Sequence, residues 1–416
     1  MKIAYVIINA NRHEGTSRAI LEVAERLAVS HQVDLLSRTF EPRESRFDVQ
    51  DEQIQHASGF WSETGNLSWI RIPGPKRPEV VDFESFRLLC NHKLRRADYD
   101  IIHSAGPNTD LADVYTVQTV HPEKVRQFAD LRLTFKAGWF RKFAWRRYDH
   151  RVMAAEREAY RAIGFRGPRF FLPVSQGTKA EFMQHFPAAL DGDTPSNVAV
   201  LPNAADLKRF HPANRDSCRQ AIRDEQGLDF DDFVLVFSGG DWVRKGLDIA
   251  IRSLALIDSP RVKLLVVGHD RAGAEVQLLC GQLGLQDRVR FAGFRKDVYR
   301  YYAAGDLFVF PSAYEAFSLA TIEAAASGLP VLMSDVSGAH EIVGSGECGI
   351  LIRRDPAHIA ESVMRYLRNP EMLRAQGLAG RALVEREFNW DTIANQTLGV
   401  YQNLLARRHE FGAVNP

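Results

Sequence analysis

The sequence predicts an α/β protein built of two doubly wound, parallel-sheet domains followed by a C-terminal helix. Three observations carry that expectation. Short, nearly continuous apolar runs alternate with segments of helical period, the pattern of parallel strands joined by crossover helices. The runs fall into two series, separated by a stretch containing Pro and Asn at residues 201–212 that reads as a linker. The length, 416 residues with 45% hydrophobic and 25% charged, supplies two cores of ordinary domain size and leaves no disordered or low-complexity remainder.

In the first series, residues 3–8 read as a buried strand, 16–29 as a helix and 33–36 as the next strand. Residues 101–102, 115–120 and 170–174 read as further strands, with a long helix from about 140 to 162. Residues from about 40 to 81 show no clear period and read as insertions. In the second series, strands are expected at 233–237, 263–267, 289–291, 307–310 and 331–333, runs apolar enough to be buried on both faces. The tail from 390 to about 408 reads as one more helix. The expected domains are 1–204, 205–389 and the helix 390–416, which crosses back to the first domain. Open α/β sheets bind ligands at the carboxyl ends of their strands, so two sheets suit a reaction between two bulky substrates.

Charge and cysteine usage narrow the class. Lys and Arg number 53 against 52 Asp and Glu, a net charge of +1 that gives no overall pull toward nucleic acid. Cys90, Cys218, Cys280 and Cys348 are scattered without a C-x-x-C pair, which argues against a disulfide framework or zinc site and for a reducing, cytoplasmic setting. No apolar run reaches the roughly 18 residues of a membrane span, and the first is too short for a signal segment. A soluble or peripheral protein is expected.

Two blocks carry chemistry. In the first, a strand ends in Ser238-Gly239-Gly240, and Arg244-Lys245-Gly246 follows at the start of a helix. Glycines admit a ligand close to the backbone, and two adjacent cations there suit a diphosphate. The spacing matches neither a Walker A loop nor G-x-G-x-x-G, which weakens a dinucleotide reading. In the second block, Glu315 precedes a helix capped by Ser318 and stopped by Gly328 and Pro330, with Glu323 in its middle. Carboxylates in such a place accept sugar or ribose hydroxyls. Asp191-Gly192-Asp193 has the D-x-D form of a metal site, but its small and Pro-containing surroundings read as a turn.

Together these blocks resemble the retaining family 4 glycosyltransferases of the GT-B fold. The E-x7-E spacing of Glu315 and Glu323 is similar to that family's signature, with Pro311-Ser312, Gly328-x-Pro330 and Gly338-x-x-Glu341 in the same order around it. The first half resembles the family more loosely, through the loop Glu14-Gly15-Thr16 and through His121 in Thr119-Val120-His121-Pro122. Asp113-Val114-Tyr115 and the stretch 155–160 resemble the lipopolysaccharide core glucosyltransferases within it. Two departures stand out: Gly240 occupies the place of a frequent family Arg, which leaves Arg244 as the second diphosphate cation, and Ser318 replaces a frequent Gly.

The resemblance implies two facing Rossmann-like domains and transfer of a hexose from a nucleotide-diphosphate sugar to a hydroxyl of a glycan or glycolipid, in lipopolysaccharide or other cell-envelope glycan synthesis. UDP-glucose is the first candidate donor, ahead of UDP-galactose and GDP-mannose. It implies catalytic roles for Lys245, Arg244, Glu315 and His121, and donor contacts from Gly15, Gly239, Gly240, Phe294, Phe317, Ser318, Leu319 and Glu323. Neither a metal nor a cofactor is called for. Two other readings stay open: a GT-B sugar-nucleotide epimerase, and a non-catalytic protein binding a sugar nucleotide or a membrane.

One local feature lies outside this scheme. Residues 132–151 carry seven Lys and Arg against a single acid, Asp149, with aromatic residues interleaved. The stretch reads as a surface for an anionic leaflet, which places the protein at the inner face of the cell membrane.

Overall fold

The computed structural model describes residues 1–12, 14–41, 65–75, 77–134 and 139–414. The chain divides into two compact units. Met1–Ala129, Leu133–Pro202 and Trp390–Pro416 form the first, and Asp130–Arg132 with Asn203–Asn389 form the second.

The first unit is built on six parallel strands: β1 (Lys2–Val6), β2 (Gln32–Ser37), β3 (Leu67–Arg71), β4 (Ile101–Ala105), β5 (Val114–Val117) and β6 (Phe170–Pro173). Their order across the sheet is β3-β2-β1-β4-β5-β6, so the winding reverses between β1 and β4. Central strands are apolar without alternation because helices cover both faces; Ile3, Ala4, Tyr5 and Val6 are all buried. Strand β3 falls inside the stretch read as insertions. It alternates, with Leu67 and Trp69 buried and Ser68 and Ile70 half-buried, as an edge strand does, and the Pro and Gly that follow it hide that short period. Residues 42–64 and 76 of the same stretch lie outside the described residues.

The C-terminal helix Trp390–Val414 belongs to the first unit, and polar groups fix its register there. The Tyr401 hydroxyl sits 2.7 Å from that of Tyr5 and 2.6 Å from His103 Nδ1, and His103 Nε2 lies 2.7 Å from Thr116 Oγ1. This buried chain crosses β1, β4 and β5. Burial pushes the His103 pKa down to about 3, so its imidazole is neutral.

The second unit repeats the plan with β7 (Phe233–Ser238), β8 (Val262–Val267), β9 (Val289–Gly293), β10 (Leu307–Phe310), β11 (Val331–Ser334) and β12 (Gly349–Ile352). The order is β9-β8-β7-β10-β11-β12, again reversing between the first and fourth strands of the series. Strand β12 was not anticipated from the sequence: it is an edge strand that opens on Gly349 after a Gly- and Ser-containing stretch and only half-buries Ile350 and Leu351, so no fully buried run marks it. Asp306, just before β10, accepts from Val234 N of β7 (2.9 Å) and from Arg219 and Arg223 (2.7 and 2.9 Å), which locks the two strands at the reversal together. Among the described residues no helix is long and apolar enough to cross a membrane.

Candidate active site

Arg244, Lys245 and Glu315 of the second unit meet in the segments that leave β7 and β10, the adjacent strands where the winding reverses. That is the place where open α/β sheets leave a crevice. After β7, Gly239 takes φ +121°, and a Cβ there would collide with the Lys245 ammonium. Its carbonyl accepts from Trp242 Nε1 (2.9 Å) and its N–H donates to Val267 O (2.8 Å). Lys245 does not open a helix as the sequence suggests. It ends the single turn Trp242–Lys245, and Gly246, in the left-handed conformation at φ +74°, separates that turn from the helix Leu247–Ala255. Gly246 also backs onto the Pro311 carbonyl, where any Cβ would clash, so the two loops pack closely. Ala313 N donates to Arg244 O (2.8 Å) and joins them further.

After β10, Ser334 Oγ donates to Ser312 O (2.5 Å) and holds the loop that presents Glu315. Ser318 caps the helix Leu319–Ala326, its Oγ accepting from Thr321 N (3.3 Å), as its position predicts. Glu323 lies buried in that helix. Phe317 turns its ring into the core against Phe388 and its carbonyl toward Asn203 Nδ2 (3.2 Å). Gly338 abuts Ala316 and Phe317 so tightly that a Cβ would lie 2.8 Å from the Ala316 carbonyl oxygen.

The two adjacent cations have different surroundings. Arg244 donates from Nε to Asp241 Oδ2 (2.6 Å) and from Nη1 to Glu315 Oε1 (2.5 Å) and Tyr314 O (2.6 Å). Burial disfavours its charge, but Glu315 and Asp241 outweigh that and hold its pKa above the ordinary arginine value. Lys245 is half-buried, its Nζ 5.4 Å from the centre of the Phe310 ring, and its ammonium has no hydrogen bond or ion pair among the described residues. Burial, helped by Arg244, lowers its pKa against the pull of Glu315, Asp241 and Glu323. A half-buried ammonium with no direct ion pair can receive an anion.

The structure thus gathers Gly239, Arg244, Lys245 and Glu315, with Ser318, Leu319 and Glu323 on the helix that follows. Gly240 lies beside them, 3.1 Å separating a Cβ placed there from the His269 carbonyl oxygen. Phe294, just past β9, is exposed. Gly15 and His121 belong to the first unit. Gly15 opens the helix Gly15–Leu27 and is exposed. His121 is buried at the head of the helix His121–Thr134, past the carboxyl end of β5. Its Nε2 lies 3.4 Å from Asp149 Oδ1, and its backbone N–H donates to Glu156 Oε1 (3.3 Å). Burial pushes the Glu156 pKa up to about 8. Asp149 and Glu156 are residues that sequence reasoning did not connect to His121; the one available signal was that Asp149 is the lone acid of the basic stretch. Asp241 was missed too, and no signal marks it. Asp191 accepts from Ser196 N (2.8 Å) and Oγ (2.6 Å) and pairs with Arg407 (3.4 Å), as a turn residue does.

Comparisons with known proteins fit this geometry. The family model described as Glycosyltransferase Family 4 matches residues 13–209, and that described as Glycosyl transferases group 1 matches residues 232–369. MMP alpha-(1->4)-mannosyltransferase of Mycolicibacterium hassiacum is 27% identical over 348 residues, 80% of this chain and 77% of the relative. D-inositol 3-phosphate glycosyltransferase of Streptomyces scabiei is 32% identical over 235 residues, 53% of this chain; the match spans about half of that relative's length (51%). Among solved structures, WaaG, a glycosyltransferase involved in lipopolysaccharide biosynthesis, superposes with a TM-score of 0.74 at 21% identity, covering 95% of this chain and 98% of WaaG. Anabaena Alr3699/HepE in complex with UDP-glucose gives 0.68 at 20% identity, covering 98% and 100%. With two family models in tandem along the chain and two Rossmann-like sheets beneath them, the chain belongs to the family-4-like glycosyltransferases of the GT-B fold.

Proposed function

We propose that the chain transfers a hexose from a nucleoside-diphosphate sugar to a hydroxyl of a cell-envelope glycan or glycolipid, with retention at the anomeric carbon and without a metal. The observation that carries this reading is the Lys245 ammonium at the β7–β10 reversal, which makes no direct hydrogen bond or ion pair among the described residues, next to a loop and helix bearing Glu315 and Glu323. The anomeric carbon–oxygen bond breaks, the diphosphate leaves with the electron pair, and the acceptor oxygen bonds to the carbon as its proton passes to the departing phosphate. Lys245 stabilises the charge that grows on the diphosphate, Glu315 accepts sugar hydroxyls, and Glu323 accepts from the ribose. His121 contacts the sugar or acceptor. UDP-glucose is the preferred donor, supported by the structure of HepE in complex with UDP-glucose, and a cell-envelope acceptor by WaaG's involvement in lipopolysaccharide biosynthesis.

A thermal-shift panel of UDP-, GDP- and ADP-sugars tests the donor, because a ligand at about 100 times its Kd stabilises by about 2.7 kcal/mol. A shift with a nucleotide sugar, followed by transfer that requires an acceptor, supports the reading. Conversion of the donor without acceptor would instead identify an epimerase.

A second element of the reading is attachment to the inner face of the cell membrane. It is supported by Phe143, exposed on the helix Trp139–Ala159 among exposed Lys142, Arg146 and Arg147, with the Arg147 guanidinium 5.7 Å from the centre of the Phe143 ring. Of the basic-aromatic stretch, the side chains of 132–141 lie outside the described residues. Neutralising Lys142, Arg146 and Arg147 should release the protein from anionic vesicles, and unchanged co-sedimentation would remove the idea.

A further inference from the structure

We infer that Arg244 is a positioning residue: Asp241 holds it, it fixes one oxygen of Glu315, and the diphosphate is left to Lys245. The inference rests on the donor reading above and refines it, since adjacency alone makes Arg244 and Lys245 look like a matched pair of phosphate cations.

The bonding of the guanidinium is the first ground. Two of its nitrogens are taken by Asp241 Oδ2, Glu315 Oε1 and the Tyr314 carbonyl, all at 2.5–2.6 Å. A planar fork with fixed donors suits two carboxylates at once, which a lysine cannot reproduce. The neighbouring Lys245 faces Gly239 and Phe310 instead and makes no such bond among the described residues.

The second ground is Glu315 itself. Its Oε1 receives Arg244 Nη1, while its Oε2 takes no bond among the described residues; the nearby Ser312 Oγ lies nearer to the Tyr314 carbonyl (3.1 Å) than to Oε1 (3.4 Å). One oxygen is therefore held by the guanidinium and the other is kept as an acceptor, the state in which a carboxylate can select a hydroxyl pattern.

The third ground is Asp241. It is the one non-glycine residue with positive φ among the described residues, at +53°, although it follows two glycines that would adopt that conformation freely. Asp is among the few side chains that tolerate this conformation, and in it the Asp241 carboxylate lies on the Arg244 guanidinium. The side chain of Asp241 is half exposed, whereas Arg244 and Glu315 are mostly covered, so Asp241 closes the pair from the solvent side.

The test is calorimetric titration of the full chain with UDP and with UDP-glucose, alongside steady-state transfer. In Lys245→Gln, affinity for UDP should fall about tenfold or more, as expected for loss of a charge-assisted contact. In Arg244→Gln, UDP affinity should stay within about threefold of wild type, while UDP-glucose loses the affinity its sugar adds and its KM rises. Arg244→Lys should not restore the sugar-dependent part, and Asp241→Asn, which alters no buried group, should shift it in the same direction by less. A merely structural Arg244 would depress UDP and UDP-glucose binding together. Loss of UDP affinity in Arg244→Gln equal to that in Lys245→Gln would make Arg244 a phosphate ligand and overturn the inference. Failure of wild type to bind UDP, GDP or ADP would remove the donor reading, and this inference with it.

Discussion

The two units share one strand order but equip the carboxyl ends of their sheets differently. In the second unit the charged groups sit on the loops of the two strands that flank the reversal, each within a few residues of a strand end. In the first unit His121 is buried, and the carboxyl groups beside it, Asp149 and Glu156, come from a different helix, Trp139–Ala159. A doubly wound sheet thus offers two ways to build a site. Groups placed by strand ends are set by local chain geometry, whereas groups placed by a helix face depend on packing between distant segments. The first kind should respond to substitution in rate, the second in stability and its pH dependence.

Four substitutions sharpen that contrast, beginning with the largest effect. Lys245→Ala should lower turnover on the order of 10²–10³-fold, the usual result of losing one fixed electrostatic group, with thermal unfolding little changed. Near-normal transfer by this variant would show that the second unit's cation is not where the chemistry lies.

Glu156→Gln comes next. The pKa of Glu156 is pushed up to about 8 in the folded chain by burial, against an ordinary 4.5 when unfolded. Below 4.5 both states hold the proton and nothing is lost; between 4.5 and 8 the unfolded chain releases it first, so stability falls as pH rises through that window. Glutamine has no proton to release. The variant should match wild type near pH 4.5 and become progressively more stable toward pH 8, in urea unfolding at each pH. A constant difference would mean that the carboxyl is not held protonated beside His121.

Tyr401→Phe should destabilise the first unit by about 1–3 kcal/mol, because it strands the buried Tyr5 hydroxyl and His103 Nδ1. An unchanged denaturation midpoint would show that the buried chain does not hold the terminal helix. Ser318→Ala is the smallest change, about 1 kcal/mol for loss of an N-cap, with a modest rise in donor KM as the helix bearing Glu323 frays. A stability loss without any change in KM would separate the cap from the site.

Legibility in the sequence followed the same division. The parallel strands of both units were readable because their double burial demands unbroken apolar runs, and the helix Leu319–Ala326 because Ser318 and Gly328 punctuate it. Strand β3 was hidden by the unpatterned residues around it, and β12 by its edge position, which leaves Ile350 and Leu351 half-buried after a glycine-rich approach. Within the site, Lys245, Glu315 and Glu323 were readable from motif spacing. The partnership of Arg244 with Glu315 was not, since the two are 71 residues apart and adjacency cannot say which of two cations turns toward a distant carboxylate. Asp241 gave no signal, because Asp is ordinary in a turn and only the folded contact with Arg244 reveals its partner. His121 was legible as a residue, but its carboxyl neighbours lie on a helix face whose packing no local pattern encodes.

The most direct measurement is equilibrium binding of UDP to the wild-type chain and to Lys245→Ala under identical conditions. Saturable binding by wild type that weakens about tenfold or more in the variant is the predicted result. Equal affinity in both, or none in wild type, would contradict the placement of the donor diphosphate at the β7–β10 reversal.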